Sequence, residues 1–289
     1  MVEKVSFQNH CDQRLDKHYH QSIMKNILLL STLILSLSAC KNEKKESTIT
    51  ETMVADVVTD TTPAYPETMQ AVFDAHGGTD AWQKMKALYF EIPKESGAEK
   101  HTVALQDRRS FIETDRWSIG YDGSEVWLLE QEADVYKGNA RFYHNLMFYF
   151  YAMPFVLADD GIQYESVPAT QLDGISYDGV KISYIDGVGD APKDEYIVYF
   201  DAETHQMKWL GYTVTYGKTE KSDNWRFIKY AAWTTQNGLV LPKALTWYQV
   251  EEGKPTTPRN TMTFENISIS ETQPEAGQFM KPEGAVVSE

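Results

Sequence analysis

The chain has 289 residues, with 27 lysines and arginines against 42 aspartates and glutamates, and its net charge is −15 at pH 7. An acidic surface of this kind repels phosphate backbones, so we exclude nucleic acid as a partner. The two cysteines, Cys11 and Cys40, both precede the predicted domain, which leaves that domain no disulfide, no cysteine-based metal site and no cysteine nucleophile.

Residues 1–23 do not fit the segment that follows them. They are polar, whereas a signal peptide begins with a positively charged stretch directly before its apolar run. We therefore predict that translation starts at Met24 and that residues 1–23 are a non-native extension. A start at Met1 is the alternative.

Residues 24–39 have the pattern of a lipoprotein signal peptide. Lys25 gives the positive start, residues 27–37 are mostly apolar, and the sequence LSAC ends at Cys40. The apolar run is too short for a transmembrane helix, which needs about 20 residues. LSAC resembles a lipobox, which implies cleavage before Cys40 and attachment to a membrane of the cell envelope through acyl chains on Cys40. We expect the outer membrane and leave its face open; an ordinary secretory signal with a chance cysteine is the alternative.

Residues 40–65 are predicted to form a flexible tether. This stretch is rich in Lys, Glu, Ser and Thr, has no aromatic residue before Tyr65 and shows no apolar periodicity. About 220 residues follow, which is enough for one domain with a sizeable core. We therefore predict a single domain over residues 66–285.

The domain is predicted to begin with two helices. In the first, over residues 68–76, apolar residues recur at helical spacing, and two glycines then end the helix where positive φ is needed. The second, over residues 80–87, presents Trp82 to the core. We interpret His76 as a helix-end residue rather than a catalytic one, because the sequence offers it no positioned partner.

From residue 88 to residue 270 the pattern changes to short strands separated by turn residues. Twelve strands of this length predict antiparallel pairing. Hairpin turns are expected at Asp122-Gly123, Asp178-Gly179, Asp201-Ala202-Glu203 and Asn237-Gly238. The predicted strands span residues 88–92, 101–106, 110–115, 117–121, 125–130, 162–167, 180–186, 195–200, 207–216, 224–235, 239–250 and 259–269.

Two details describe the shape of the sheet. After Phe264 the apolar alternation shifts to Ile267, so an extra residue near Asn266 predicts a β-bulge, and bulges bend strands. Along residues 207–216 the alternation predicts one buried face and one wetter face. A bent sheet with one buried face can wrap around other elements.

One segment, residues 141–157, interrupts the strand pattern. It is apolar nearly all round, and a helix of that kind must be buried on every side or face an apolar ligand. We predict a helix here that lines a cavity or forms a lid; the alternative is that it fills the concave sheet as core. The candidate ligand-binding residues are Phe142, Tyr143, Leu146, Met147, Phe148, Phe150, Tyr151 and Met153.

Several stretches resemble the lipoprotein carrier LolA and related lipid-binding envelope lipoproteins. The matching stretches are Ala75-His76-Gly77-Gly78, Tyr121-Asp122-Gly123 followed by Trp127, Phe200-Asp201-Ala202-Glu203-Thr204 and Gly238-Leu239-Val240-Leu241-Pro242. The sequence MFYFYAMPF, at residues 147–155, further resembles a family of uncharacterised bacterial envelope lipoproteins, over about residues 66–282. The resemblance implies a mainly β (α+β) fold, with a strongly curved antiparallel half-barrel sheet wrapped around a few helices. It also implies reversible binding of acyl chains in the concave face.

Catalytic motifs are not found in the sequence. It contains no G-x-S-x-G, GK[ST] or H-E-x-x-H pattern, and the histidines of the predicted domain are widely spaced. Acidic pairs such as Asp159/Asp160 lie at predicted turns without EF-hand spacing. We therefore expect no enzymatic activity, no bound metal and no cofactor.

Three functions remain open. The first is binding of a lipid or another apolar molecule in the concave face, which predicts an enclosed apolar cavity of about 300 Å³ or more. The second is an interaction or assembly lipoprotein that presents a surface to an envelope protein and has no ligand cavity. The third is a hydrolase, which requires carboxylates or a histidine clustered in a cleft. Likeness of fold alone does not decide among them.

Overall fold

The computed structural model describes residues 65–185 and 191–289. The predictions for the extension, the signal peptide, Cys40 and the tether before Tyr65 lie outside the described residues. Within the described ranges the α-helices are α1 (Glu67–Ala75), α2 (Thr79–Lys84), α3 (Ala140–Tyr143) and α4 (Leu146–Tyr151), and 3₁₀ helices span Phe155–Ala158 and Ala276–Phe279.

The strands form two antiparallel sheets of seven strands each, counted over the same ranges. Their bounds are β1 (Ala87–Ile92), β2 (Glu99–Ala104), β3 (Ser110–Glu113), β4 (Trp117–Tyr121), β5 (Val126–Glu130), β6 (Ile162–Leu172), β7 (Ile175–Tyr184), β8 (Tyr196–Phe200), β9 (Met207–Tyr212), β10 (Arg226–Gln236), β11 (Leu239–Glu251), β12 (Lys254–Thr263), β13 (Glu265–Ser270) and β14 (Val286–Val287). The first sheet has the order β13-β1-β2-β3-β4-β5-β14 and the second the order β12-β11-β10-β9-β8-β7-β6.

The two sheets share one stretch of chain, because only Phe264 separates β12 from β13. β12 pairs with β11 in the second sheet, and β13 pairs with β1 in the first. The backbone N–H of Phe264 donates to the carbonyl oxygen of Lys243 at 2.9 Å, and its ring is buried in the main core. The predicted fold, a mainly β structure with a curved antiparallel half-barrel sheet around a few helices, is confirmed.

The predicted bulge lies where the sequence places it. Tyr89 pairs with Ser268 and Glu91 pairs with Glu265, so β13 has one residue more than β1 between these pairs. Asn266, one of the two β13 residues between these pairs, has a φ of 49°, a left-handed conformation that asparagine tolerates better than most residues. The bulge bends β13 directly after the joint between the sheets.

Both predicted helices are present, with slightly different ends. α1 follows Pro66, and Gly77, with a φ of 104°, turns the chain after it. A Cβ atom on Gly77 would lie 2.3 Å from the carbonyl oxygen of Gly238, so glycine is needed for close approach as well as for φ. α2 ends at Lys84, since the next residue, Met85, is already extended with a ψ of 141°, and β1 begins at Ala87.

Three of the four predicted hairpin turns are confirmed, and the one at Asp178-Gly179 is wrong. Residues 178 and 179 lie inside β7, and the chain turns instead at Asp173-Gly174, where both residues have positive φ. A Cβ atom on Gly179 would lie 2.7 Å from Val167 Cγ2. This glycine therefore permits close packing between strands rather than a turn.

The second face of β9 differs from the prediction. The strand ends at Tyr212, and both of its faces are buried, since Trp209 and Leu210, which point to opposite faces, are each fully buried. The hairpin between β6 and β7 accounts for this, because its Leu172 and Tyr177 pack in the same apolar cluster as Trp209. At the tip of the hairpin, Asp173 forms an ion pair with Lys229.

The apolar segment is three short helices rather than the single helix predicted. α3 begins after Asn139, whose side-chain oxygen accepts from the backbone N–H of Phe142 at 2.8 Å. α4 ends at Tyr151, and a 3₁₀ helix follows Pro154, which has no N–H to continue an α-helix. Short helices let the segment turn several different side chains toward the core.

The main core lies between these helices and the concave side of the sheet. Trp82, predicted to be a core residue, stacks on Phe155 with ring centroids 4.7 Å apart. Phe90 stacks in the same way on Tyr151, at 4.4 Å. Such pairs add about 0.5–1.5 kcal/mol to the free energy gained by burying the rings.

Candidate ligand-binding cavity

A partly open cavity of about 310 Å³ lies beside α3 and α4, at the ends of β7 and β8. Its lining is mixed: apolar side chains come from α3 and α4, tyrosines come from both helices and strands, and the exposed Asp159 and Asp160 lie at the rim. The lining residues are Arg108, Tyr121, Arg141, Phe142, His144, Asn145, Leu146, Tyr149, Phe150, Val156, Asp159, Asp160, Tyr184, Ala191, Asp194, Tyr196 and Tyr216.

The eight candidate residues divide between this cavity and the core. Phe142, Leu146 and Phe150 line the cavity. Tyr143 points its hydroxyl at the carboxylate of Glu99. The remaining four are buried in the main core: Met147, Phe148, Tyr151 and Met153. The segment therefore fills the concave sheet with one part and borders a cavity with another.

Tyrosines form much of the lining, and sequence reasoning missed them. Tyr149 lies within the apolar segment but was not among the candidates, and Tyr184 and Tyr196 come from the paired strands β7 and β8. The rings of Tyr184 and Tyr196 meet edge to face, with centroids 6.1 Å apart at 83°. The only signal in the sequence was the alternation along these strands, which does not say which end borders the cavity.

An ion pair between Arg108 and Asp159 borders one side of the cavity. Arg108 Nη2 donates to both carboxylate oxygens of Asp159, at 2.6 and 2.7 Å, and the guanidinium lies 5.1 Å above the ring of Phe148. Burial raises the pKa of Asp159, although Arg108 acts in the opposite direction. Arg108 adopts a φ of 61° in the turn between β2 and β3, which costs roughly 1–2 kcal/mol in a non-glycine residue.

Asp194 is another carboxylate of the lining. Its Oδ1 accepts from the backbone N–H of Thr215 at 2.6 Å and from the Thr215 hydroxyl at 2.7 Å. Burial raises the pKa of Asp194, and these two hydrogen bonds oppose the rise. Burial also raises the pKa of Tyr196, and the nearby charge of Asp194 contributes to that rise.

Two further depressions adjoin the cavity. One, of about 430 Å³, shares Arg108, Asp159 and Asp160 with it and extends toward Trp82. The other, of about 500 Å³, shares Arg141 and Tyr216 and is bordered by polar residues near the end of the chain. The Arg108–Asp159 ion pair thus stands between the cavity and the first depression.

A buried polar cluster lies on the other side of α3. His101 Nε2 is 2.8 Å from Glu99 Oε1, and the Tyr143 hydroxyl donates to the same oxygen at 2.5 Å. Burial lowers the pKa of His101, so the imidazole is neutral near pH 7 and donates its Nε2 proton. Glu99 and His101 were not singled out from the sequence, because their contact with Tyr143 joins distant segments. None of the three cavities described above is lined by these residues.

Across residues 65–185 and 191–289, no group of three or more His, Cys, Asp and Glu side chains is arranged to hold a metal ion. In the same part of the chain, no helix has both the length and the apolar character needed to cross a membrane. The arrangement of the cavity, an apolar side next to a polar rim, suits retention of a molecule with apolar and polar parts.

Comparison with known proteins gives matches among solved structures only. No protein family matches the chain, and no curated protein matches it. A LolA superfamily protein from Nitrosomonas europaea is 8% identical, with 73% of this chain and 97% of that chain covered and a TM-score of 0.41. A putative outer membrane lipoprotein-sorting protein domain from Vibrio parahaemolyticus is 7% identical (70% and 95% covered, TM-score 0.32), and the Mycobacterium tuberculosis lipoprotein LppX is 11% identical (51% and 88%, TM-score 0.23). Each of these likenesses has an identity of 11% or less and a TM-score below 0.5.

Proposed function

We propose that this protein is an envelope lipoprotein, anchored by acyl chains on Cys40, that binds a lipid or another apolar ligand in the cavity beside α3 and α4. In this proposal residues 24–39 are removed, residues 40–65 form the tether, and residues 66–285 form the binding domain. The outer membrane is the proposed site of anchoring. The observation that carries the proposal is the cavity of about 310 Å³ lined by Phe142, Leu146 and Phe150.

The cavity has the size of a small ligand pocket, since such pockets span about 300–1,000 Å³. It differs in one respect from the cavity expected from the sequence, which was enclosed and apolar, because carboxylates and arginines reach its rim. An amphiphile fits this lining better than a pure hydrocarbon, since its polar end can remain at the rim while its chain contacts the aromatic side.

Native mass spectrometry tests the binding. The full chain carrying Cys40→Ser, which cannot be acylated, is purified from cells and examined for bound small molecules. We expect a co-purified lipid or apolar molecule, and we expect Leu146→Trp to remove most of it by filling the cavity. Ile175→Trp is the matched control, because Ile175 is 54% exposed and outside the lining. The proposal fails if the protein carries no ligand and takes up none from lipid extracts.

Metabolic labelling with a fatty acid tests the anchor separately. We expect label on the wild-type chain in the membrane fraction, and neither label nor membrane association for Cys40→Ser. A labelled Cys40→Ser chain, or an unlabelled wild-type chain, contradicts acylation at this residue.

A second candidate function, an interaction lipoprotein, is favoured by the edge of the second sheet. Among the described residues β6 pairs only with β7, and most of its side chains are exposed. A free strand edge can pair with a strand of another protein, although Pro168 limits this by lacking an N–H. Co-purification of one specific envelope protein, with no small molecule bound, favours this function over ligand binding.

A further inference from the structure

The polar end of the cavity is built from carboxylates and tyrosine rings. We propose that the ligand carries a positively charged, ammonium-type group, seated beside Asp194 and the rings of Tyr184 and Tyr196, with its apolar chain against Phe142 and Leu146. This inference rests on the proposed function, because it names the class of ligand that the same cavity binds.

Two perpendicular tyrosine rings define the geometry of the proposed ammonium site. Tyr184 and Tyr196 meet at 83° with centroids 6.1 Å apart, and both line the cavity together with Asp194. Aromatic faces attract cations through their quadrupole, and several rings with a nearby carboxylate are a common way to bind alkylammonium groups. The apolar side chains of α3 and α4 border the same cavity, where an attached alkyl chain can lie.

The balance of charge in the lining is negative. Three carboxylates, those of Asp159, Asp160 and Asp194, stand against the guanidinium groups of Arg108 and Arg141. Arg108 is already engaged by both oxygens of Asp159, so that pair contributes little net charge. The remaining carboxylates favour a cation at the rim.

Arg141 lies between the cavity and a neighbouring depression. It also lines the neighbouring depression, whose lining includes the acidic residues Glu125 and Glu289. Arg141 therefore borders both spaces, and its positive charge is shared between the cavity and that depression. Asp194, in contrast, lines only the cavity.

The negative charges of the lining also act on the tyrosine hydroxyls. Burial raises the pKa of Tyr184, and the charges of Asp159 and Asp194 raise it further. Asp194 acts in the same direction on Tyr196. A cation beside these rings would be stabilised by the same carboxylate charges that oppose ionisation of the phenols.

Asp194 is fixed in position for such a role. Both hydrogen bonds from Thr215, one from its backbone N–H and one from its hydroxyl, end on Oδ1 and hold the carboxylate in one orientation. A carboxylate has about four acceptor positions, and Oδ2 retains capacity for an ammonium donor. A charge-assisted hydrogen bond of this kind is roughly twice as strong as a neutral one.

A ligand with an anionic head group is the alternative. It would meet a guanidinium whose Nη2 already donates to both oxygens of Asp159, at 2.6 and 2.7 Å, so that only the buried Nη1 of Arg108 is left to donate to it. It would also approach the other two carboxylates of the rim. Like charges at close range cost free energy, and the net charge of −15 on the whole chain adds to this repulsion.

The test compares three molecules with the same twelve-carbon chain but different head groups. Dodecylamine, dodecanoate and dodecanol are titrated below their aggregation limits into the full chain carrying Cys40→Ser, and binding is followed by calorimetry at pH 7.5. We expect dodecylamine to bind at least about tenfold more tightly than dodecanoate, and more tightly than dodecanol. Butylamine, added as a short-chain arm, should bind weakest, which distinguishes an amphiphile from a small free amine.

The outcomes separate this inference from the proposed function. If dodecanoate or dodecanol binds as tightly as dodecylamine, the cavity binds apolar chains but the cationic class is wrong. If none of the three binds, the proposed function is wrong and this inference falls with it. If butylamine binds as tightly as dodecylamine, the site takes a small cation, and the amphiphilic ligand is wrong.

Two matched variants test whether the cationic group of the ligand binds beside Asp194. Asp194→Asn keeps an oxygen for Thr215 but loses the charge, and we expect it to weaken dodecylamine binding about fivefold to tenfold while dodecanol binding is unchanged. Asp201→Asn is the control, because Asp201 Oδ1 accepts from the N–H and hydroxyl of Thr204, both at 2.8 Å, outside the lining. Unchanged dodecylamine binding in Asp194→Asn, or an equal loss in both variants, overturns the assignment. If Asp194→Asn does not fold, Asp160→Asn, at the exposed rim, must show the same preferential loss.

Discussion

At the scale of single residues, His76 is buried without being catalytic. It lies at the end of α1, fully buried, with Nδ1 2.8 Å from the carbonyl oxygen of Val72 and its ring against Trp233. Nδ1 therefore carries the proton and donates it to that oxygen. Burial lowers the pKa of His76 from 6.5 to about 4, so the folded protein holds a neutral imidazole near pH 7.

This shift predicts a pH dependence of stability. A histidine whose pKa is lowered on folding stabilises the protein fully above its unfolded pKa, and the stabilisation is lost as the pH falls. For His76 the loss extends from about pH 6.5 to about pH 4 and amounts to roughly 3 kcal/mol. We expect His76→Asn, whose amide can still donate to Val72, to lose less free energy of unfolding between pH 7.5 and pH 4.5 than the wild type does.

Urea unfolding at the two pH values provides the measurement. His205→Asn is the control, because His205 lies in the turn between β8 and β9 with a φ of 56°, which asparagine tolerates. That variant should keep the pH dependence of the wild type. An unchanged pH dependence in His76→Asn would show that His76 is protonated in the folded protein without cost.

The hydroxyl of Tyr143 has a role that differs from the one expected of it. It donates to Glu99 at 2.5 Å in a buried cluster, and hydrogen bonds to charged groups contribute about 1.5–3 kcal/mol. We expect Tyr143→Phe to lower the free energy of unfolding by about that amount at pH 7. Tyr121→Phe, which removes an exposed hydroxyl bonded to the Gly123 carbonyl, should cost less than about 0.5 kcal/mol.

Chemical denaturation of both variants measures the difference. Equal losses in Tyr143→Phe and Tyr121→Phe would contradict a stabilising role for the Glu99 contact. Unchanged ligand binding in Tyr143→Phe would further support the assignment of Tyr143 to the structural cluster, since its side chain does not line the cavity.

At the scale of elements, the turn between α1 and α2 depends on one glycine. Gly77 has a φ of 104°, and a Cβ there would meet the Gly238 carbonyl oxygen at 2.3 Å, which joins the helical hairpin to the turn before β11. We expect Gly77→Ala to cost about 3 kcal/mol or more, from strain and displacement of this turn. Gly174→Ala, with positive φ but open space around it, should cost only about 1–2 kcal/mol.

Thermal unfolding of the two alanine variants separates strain from contact. Because both positions have positive φ, the difference between them reports the clash with Gly238. A loss in Gly77→Ala no larger than that in Gly174→Ala would mean that the turn before β11 moves away freely.

The strands could be predicted from the sequence because their signal is local. Alternation and turn residues such as Asn237-Gly238 depend only on neighbouring positions, and the bulge at Asn266 shifts the apolar pattern of one strand. Gly179 misled the prediction, because the reason for it is contact with Val167 on another strand. The buried second face of β9 was missed for the same reason, since the cover comes from a different hairpin.

The lining of the cavity also divides into residues that the sequence could predict and residues that it could not. Phe142, Leu146 and Phe150 could be predicted, because they share one apolar segment whose composition is unusual. The carboxylate of Asp194 and the ring of Tyr196 reach the same space only because β8 pairs with β7, so no local pattern identifies them. The single helix was wrong because composition alone does not locate the breaks near Asn145 and Pro154.

At the scale of the whole molecule, Phe264 joins the two sheets. Its backbone bonds to Lys243 in the second sheet, while its ring meets Phe90 in the first at 5.4 Å and Tyr151 of α4 at 4.6 Å. The backbone and the ring of Phe264 together therefore couple both sheets to the helical segment. We expect the wild-type domain to unfold in one cooperative transition, with equal calorimetric and van't Hoff enthalpies.

Removing this ring should weaken the coupling as well as the stability. Phe264→Ala is expected to cost about 3–5 kcal/mol and to raise the ratio of calorimetric to van't Hoff enthalpy above one, because the sheets then unfold partly independently. Phe227→Ala is the matched control, since Phe227 is also buried but packs in the separate outer cluster with Trp209. It should lose a similar amount of stability while the single transition is kept. A single transition in Phe264→Ala, or a divided one in Phe227→Ala, would show that the two sheets are held together by contacts other than the joint at Phe264.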